Sequence, residues 1–112
     1  MELSTKTEGP LRIVAVQDAR IDAIVALKFK EAMRGLTEDG PRWVVLDLSK
    51  VQFVDSSGLG AIVAAMKNMA GERTLGLAGL TPMVDKVFRL TRMDQVFRIF
   101  GTLDAALKEL RV

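Results

Sequence analysis

Apolar and polar positions change period several times along this chain. Leu3-Ser4-Thr5-Lys6-Thr7 alternates weakly, Glu8-Gly9-Pro10 carries turn residues, and Leu11-Arg12-Ile13-Val14-Ala15-Val16 is rich in strand formers. Two strands joined in an opening hairpin are predicted. After Asp18-Ala19-Arg20 the period lengthens. Ile21, Val25, Phe29, Ala32, Met33 and Leu36 share one face of a predicted helix, with Lys28, Lys30, Glu31 and Arg34 largely elsewhere. Gly35 and Glu38-Asp39-Gly40-Pro41 end it. Trp43-Val44-Val45-Leu46-Asp47-Leu48 has the near-continuous apolar character of a central strand covered on both faces.

The second half repeats the alternation. Leu59, Ile62, Val63, Met66 and Met69 recur at helical spacing within a predicted helix from Gly58 to Ala70, closed by Gly71. Thr74 to Ala78 reads as another buried strand. Thr81-Pro82 sets a capping hydroxyl before a proline at the first helical position, and the helix that follows buries Val84, Val87, Phe88 and Thr91. Phe97 to Phe100 forms a short last strand, and Thr102 caps a final helix with Leu103, Ala106, Leu107 and Leu110 facing inward. Strands that alternate with helices pair in parallel, because each helix carries the chain back across the sheet. The expected fold is α/β: a small mixed sheet, largely parallel except at its opening hairpin, packed with about four helices. Residues 1–112 make a single domain.

Composition narrows the chemistry more than it identifies it. With 16 basic and 14 acidic residues the formal charge is +2, too balanced to indicate nucleic-acid binding. The chain has no cysteine, which excludes disulfides, thiol nucleophiles and thiolate metal sites. It has no histidine either, which excludes a serine–histidine–acid triad and the common zinc sites. No metal site or cofactor is expected, and an enzyme is not. The N-terminus lacks the apolar core of a signal peptide, and no stretch approaches the roughly 20 apolar residues of a membrane span. A cytoplasmic protein without membrane insertion is the expectation.

One stretch carries candidate chemistry. Val51-Gln52-Phe53-Val54-Asp55-Ser56-Ser57-Gly58-Leu59-Gly60 puts an acid and two hydroxyls where strand gives way to helix. Asp55, Ser56 or Ser57 can cap the first turn. A hydroxyl at that point faces the positive end of a helix dipole, where a phosphate is favoured.

The arrangement resembles the STAS domain, the family of anti-sigma factor antagonists, over nearly the whole chain. Asp47-Leu48-Ser49-Lys50-Val51-Gln52-Phe53-Val54-Asp55-Ser56-Ser57-Gly58-Leu59-Gly60 is similar to its signature. Ala19-Arg20-Ile21-Asp22-Ala23, Leu80-Thr81-Pro82, Val87-Phe88-Arg89-Leu90-Thr91 and Val96-Phe97-Arg98-Ile99-Phe100 follow the family's other segments. Ala19 stands where glycine is usual, and Arg92-Met93 where Gly-Leu is common. Both departures bear on loop geometry.

The resemblance implies a regulatory binding module with Ser56 as the phosphorylation site, and Ser57 as the fallback acceptor. The unmodified protein would bind an anti-sigma factor that is itself a GHKL-type serine kinase, freeing a sigma factor. Phosphorylation would end that binding, and a metal-dependent serine phosphatase would restore it. Partner contacts are expected from Asp22, Asp55, Ser56, Ser57, Gly58, Leu59, Gly60 and Ala61, with Ala61, Ala64 and Ala65 as a small-residue docking face, and the free protein would be a monomer. Capping, helix propensity and close packing account for several of the same residues. The alternative within the fold is the stand-alone STAS subunit of a bacterial lipid-transport ABC complex.

Overall fold

The structure, a computed structural model, describes residues 1–38, 40–69 and 73–110. Strands β1 (Leu3–Glu8) and β2 (Leu11–Val16) form the expected antiparallel hairpin, turned at Gly9, whose φ of 57° suits glycine. Strands β3 (Arg20–Ile21), β4 (Trp43–Asp47), β5 (Phe53–Val54), β6 (Thr74–Ala78) and β7 (Arg98–Phe100) follow. Helices α1 (Ala26–Thr37), α2 (Ser56–Lys67), α3 (Pro82–Leu90) and α4 (Leu103–Leu110) lie between or after them. The main sheet runs β1-β2-β4-β6-β7, parallel at every pair after the hairpin. The mixed, mostly parallel α/β architecture read from the sequence is therefore the one observed.

Side-chain alternation sorts two cores. Val14, Val44, Leu46 and Leu77 meet Phe29 and Met33 of α1, Ile62 and Ala65 of α2, and Val84 and Phe88 of α3. Leu11, Ile13 and Val45 point to the opposite face and are covered by Ala106 and Leu110 of α4. Val44, Val45 and Leu46 are all fully buried, as a strand sandwiched between helices requires. Thr102 caps α4 as expected, its Oγ1 accepting the Ala105 amide at 3.0 Å.

Several local expectations change. Ile21 does not belong to α1. It is a β3 residue paired with Val54 in a separate two-stranded parallel sheet, β3 with β5, and α1 begins at Ala26. Burial of Ile21 is satisfied equally by strand or helix, so its apolar character could not decide between them. Helix α2 starts at Ser56 rather than Gly58. Thr91 is exposed, its hydroxyl donating back to the Val87 carbonyl at 2.7 Å. Thr81 precedes α3, but its hydroxyl donates across to the Val51 carbonyl at 2.6 Å instead of accepting from the helix. Asp39, Ala70 and Gly71, offered as parts of helix ends, lie outside the described residues.

The two family departures resolve separately. Arg92 has φ 61° and ψ 22°, the left-handed conformation glycine favours, and enters a short 3-10 turn at Met93–Gln95. Ala19 is not among the described residues with positive φ, so alanine fits there without strain.

Candidate functional site

The short β3–β5 sheet brings two chain junctions together beside the start of α2. Of the three candidate capping residues, Asp55 performs the task. Its backbone is extended (φ −96°, ψ −175°), and its Oδ1 accepts the Gly58 amide at 2.8 Å. Its main-chain oxygen accepts the Leu59 amide at 2.8 Å. Its Oδ2 accepts the amide of Ala23, 32 residues earlier, at 3.1 Å. One carboxylate thus closes the first turn of α2 and ties it to the β3–α1 connection. The part of Ala23 is carried by a backbone amide, which no side-chain pattern advertises.

Ser56 and Ser57 occupy the first turn itself, and both are exposed. Neither hydroxyl makes a hydrogen bond among the described residues. Their backbone amides are the first two of the helix and have no partner there either. An anion at this point would meet these two amides, because those of Gly58 and Leu59 are already engaged with Asp55.

Gly58 and Ala61 are not surface residues. Gly58 is buried, and a Cβ placed on it would lie 1.9 Å from the Ile21 carbonyl oxygen. The glycine lets α2 pass against β3, and access for an approaching protein is not its function. Ala61 and Ala65 are each 2% exposed and pack into the α1–α2–sheet core, so close packing replaces the docking face proposed for them. Ala64 and Leu59 are half-buried, and Gly60 is exposed with open space around its Cα.

Asp22 is spent on its own neighbourhood. Its Oδ1 accepts the Ile24 amide at 3.1 Å, and its main-chain oxygen accepts those of Val25 and Ala26. Its Oδ2 pairs with Arg20 Nε at 3.1 Å. The Arg20 guanidinium also stacks 4.2 Å from the Phe53 ring centre, across the β3–β5 pair. The Arg20 hydrogen bond, followed by the Ile24 and Val25 amides, holds the Asp22 carboxyl below the usual aspartate range against the opposing effect of desolvation. A hollow of about 280 Å³ lined by Asp18, Ala19, Arg20, Asp22, Ile24 and Val25 opens beside this turn.

Towards the C-terminus, Arg89 pairs with Asp85 at 2.7 Å and Arg98 with Glu109 at 2.8 Å, both pairs lying at the surface. No cluster of three or more potential metal ligands occurs among the described residues. No helix among them is long and apolar enough to cross a membrane.

The family model for the STAS domain matches residues 2–106. The chain belongs to the STAS domain family. It is 32% identical over 91 residues to the anti-sigma-F factor antagonist RsfB of Mycobacterium tuberculosis, covering 81% of this chain and 75% of the relative. It is 22% identical over 100 residues to the anti-sigma-B factor antagonist of Staphylococcus aureus, covering 88% and 92%. The crystal structure of an anti-sigma factor antagonist from Mycobacterium paratuberculosis superposes with a TM-score of 0.89 at 28% identity, covering 99% of this chain and 94% of that one. In this STAS domain the serine pair opens α2 directly after β5, where strand gives way to helix.

Proposed function

We propose that this STAS domain is an anti-sigma factor antagonist switched by phosphorylation of Ser56. In its unmodified form it binds an anti-sigma factor that is a GHKL-type serine kinase, and phosphate on Ser56 ends that binding. A metal-dependent serine phosphatase resets it. ATP and magnesium belong to the kinase. The relatives named above support the choice of partner. The observation that carries the switch is the state of the Ser56 hydroxyl: exposed, at the N-terminus of α2, and with no structural duty to lose.

The physics of the switch follows from Asp55. A phosphoserine adds roughly −1.5 to −2 charge. The unpartnered amides of Ser56 and Ser57 and the α2 dipole receive it, so the fold survives. The same phosphate stands next to a carboxylate already committed to two amides. Two like unit charges about 5 Å apart repel by roughly 3 kcal/mol at an effective dielectric near 20. Each 1.4 kcal/mol is about tenfold in affinity, so repulsion from an acidic or desolvated partner surface is sufficient even after screening. The protein acts by binding. It has no histidine to serve as a base, and the site's two carboxylates are occupied by amides and Arg20.

Incubation with candidate GHKL-type kinases and ATP, followed by peptide mass spectrometry, tests the assignment. Label on Ser56 that Ser56→Ala abolishes is the expected result. Label confined to Ser57 moves the site by one residue, and no label from any such kinase overturns the reading.

A further inference from the structure

The main sheet is open along β1. That strand is an edge with β2 as its one neighbour in the sheet, and Ser4, Thr5, Lys6 and Thr7 are all exposed. The opposite edge, β7, is three residues long and has α4 and the Met93–Gln95 turn beside it. Long edges are normally blunted by proline, a bulge or a covering element, because their unpaired backbone groups accept another strand. β1 has no proline, and its register with β2 runs unbroken from Leu3 to Glu8. The Gln17 amide donates to the Glu2 carbonyl at 2.9 Å, which carries the ladder one residue further and fixes its phase. Glu2, Ser4 and Lys6 turn their backbone groups to β2, whereas Leu3, Thr5 and Thr7 turn theirs outward.

We propose that β1 is the interface of a symmetric dimer, in which the β1 strands of two copies of this chain pair antiparallel and join their sheets. A two-fold axis makes such a contact self-complementary and closed. The charges on the strand select its register. Outward-turned residues must face one another, so the axis passes through a residue of the strand and not between two. With Thr5 on the axis, Glu2 faces the partner's Glu8; with Lys6 on it, Lys6 faces itself. Both arrangements set like charges opposite each other. With Leu3 or Thr7 on the axis, the overlap shrinks to residues 2–4 or 6–8, the latter ending at the Gly9 turn. Ser4 on the axis places Glu2 opposite the partner's Lys6 at both ends, at the non-hydrogen-bonded positions where cross-strand side chains stand closest. Leu3 and the partner's Thr5 then exchange backbone hydrogen bonds, and Leu3 already packs against the larger core. Glu2 is exposed, with no side-chain partner among the described residues. Lys6 holds Glu8 at 3.1 Å, but its side chain is 71% exposed and an ammonium has three donors, so it accommodates a second carboxylate. A lysine that deters pairing on a solitary edge here dictates one pairing. This dimer departs from the free monomer that the family resemblance implies, and it does not depend on Ser56.

The test is analytical ultracentrifugation of the full chain across a concentration series, with thermal melts on every variant. The variants are Lys6→Glu, the charge swap Glu2→Lys with Lys6→Glu, and Thr5→Pro. Proline at residue 5 removes an amide that points outward, which an edge strand tolerates. The expected result is a wild-type dimer that Lys6→Glu weakens at least about tenfold and the swap restores to within about threefold, while Thr5→Pro is a folded monomer. A wild-type chain that stays monomeric up to about 1 mM overturns the proposal. A dimer that survives Thr5→Pro overturns it too, because the contact then lies elsewhere. A dimer lost in Thr5→Pro but unchanged in Lys6→Glu overturns the register and the selection by charge. Should Thr5→Pro fail to fold, Lys6→Glu and the swap decide alone: weakening followed by restoration supports the proposal, and any other pattern overturns it.

Discussion

Gly58 passes so close to Ile21 that a Cβ on the glycine would overlap the Ile21 carbonyl oxygen, at 1.9 Å. That oxygen also accepts the Asp55 amide, so the backbone of β3 cannot yield without losing the β3–β5 pairing. Gly58→Ala is therefore expected to destabilise by about 3 kcal/mol, the upper range for overpacking against an immobile group. Gly60, two residues on, has open space where its Cβ would be. Gly60→Ala is expected to stabilise by about 0.5–1 kcal/mol through helix propensity alone. Urea denaturation of the two variants should move the midpoint in opposite directions.

Asp55 holds two amides from separate parts of the chain, and its replacements should be graded. Asp55→Ala leaves both Gly58 and Ala23 without an acceptor and is expected to cost about 2 kcal/mol, a cap plus a cross-junction bond. Asp55→Asn keeps one acceptor oxygen and sets an NH2 group against the other amide, so about half that cost is expected. Amide exchange at Ala23 and Gly58 distinguishes which bond survives. A uniform loss of protection across the domain would contradict so local a clamp.

Asp22 makes the site mildly pH-dependent, with a definite sign. Its carboxyl is held down in the folded state, chiefly by Arg20, so the unfolded chain binds the proton more readily. The associated stabilisation is complete above the unfolded aspartate value of about 3.9 and is lost as pH falls through the lower folded value. NMR titration of the Asp22 carboxyl carbon should show a midpoint below the ordinary aspartate range. Arg20→Ala should move that midpoint upward.

Arg92 ends α3 in a conformation that costs any side chain energy, and its amide donates to the Arg89 carbonyl at 3.1 Å as the helix closes. Arg92→Gly is expected to raise stability by about 1 kcal/mol, the usual penalty of a left-handed non-glycine residue. Thermal unfolding reads this directly. A lowered melting temperature would show that the arginine side chain makes a compensating contribution.

The features legible in the sequence were those written in consecutive residues. The Trp43–Asp47 run, the hairpin around Gly9-Pro10 and the Thr102 cap each carry a local signal that packing did not need to alter. Strands β3 and β5 were not legible as a pair, because two residues each show no period, and Ile21 is buried in either reading. Three adjacent oxygen-bearing residues could all cap α2. The choice of Asp55 was settled by Ala23, which is distant in sequence and contributes only its backbone. Thr81 followed the same logic, its hydroxyl drawn from its own helix to the Val51 carbonyl. The glycine of the signature was visible from the start, but its reason, the Ile21 carbonyl, exists only once the chain is folded.

The most direct measurement is the affinity of the same purified protein for its anti-sigma factor before and after stoichiometric phosphorylation of Ser56, with amide spectra recorded on both forms. Phosphorylation should lower affinity at least about tenfold, corresponding to roughly 1.4 kcal/mol, with spectral changes confined to the α2 N-terminus and the Ala23 turn. Equal affinity in the two forms, or a domain-wide loss of structure on phosphorylation, would contradict a switch that works by charge on an unchanged scaffold.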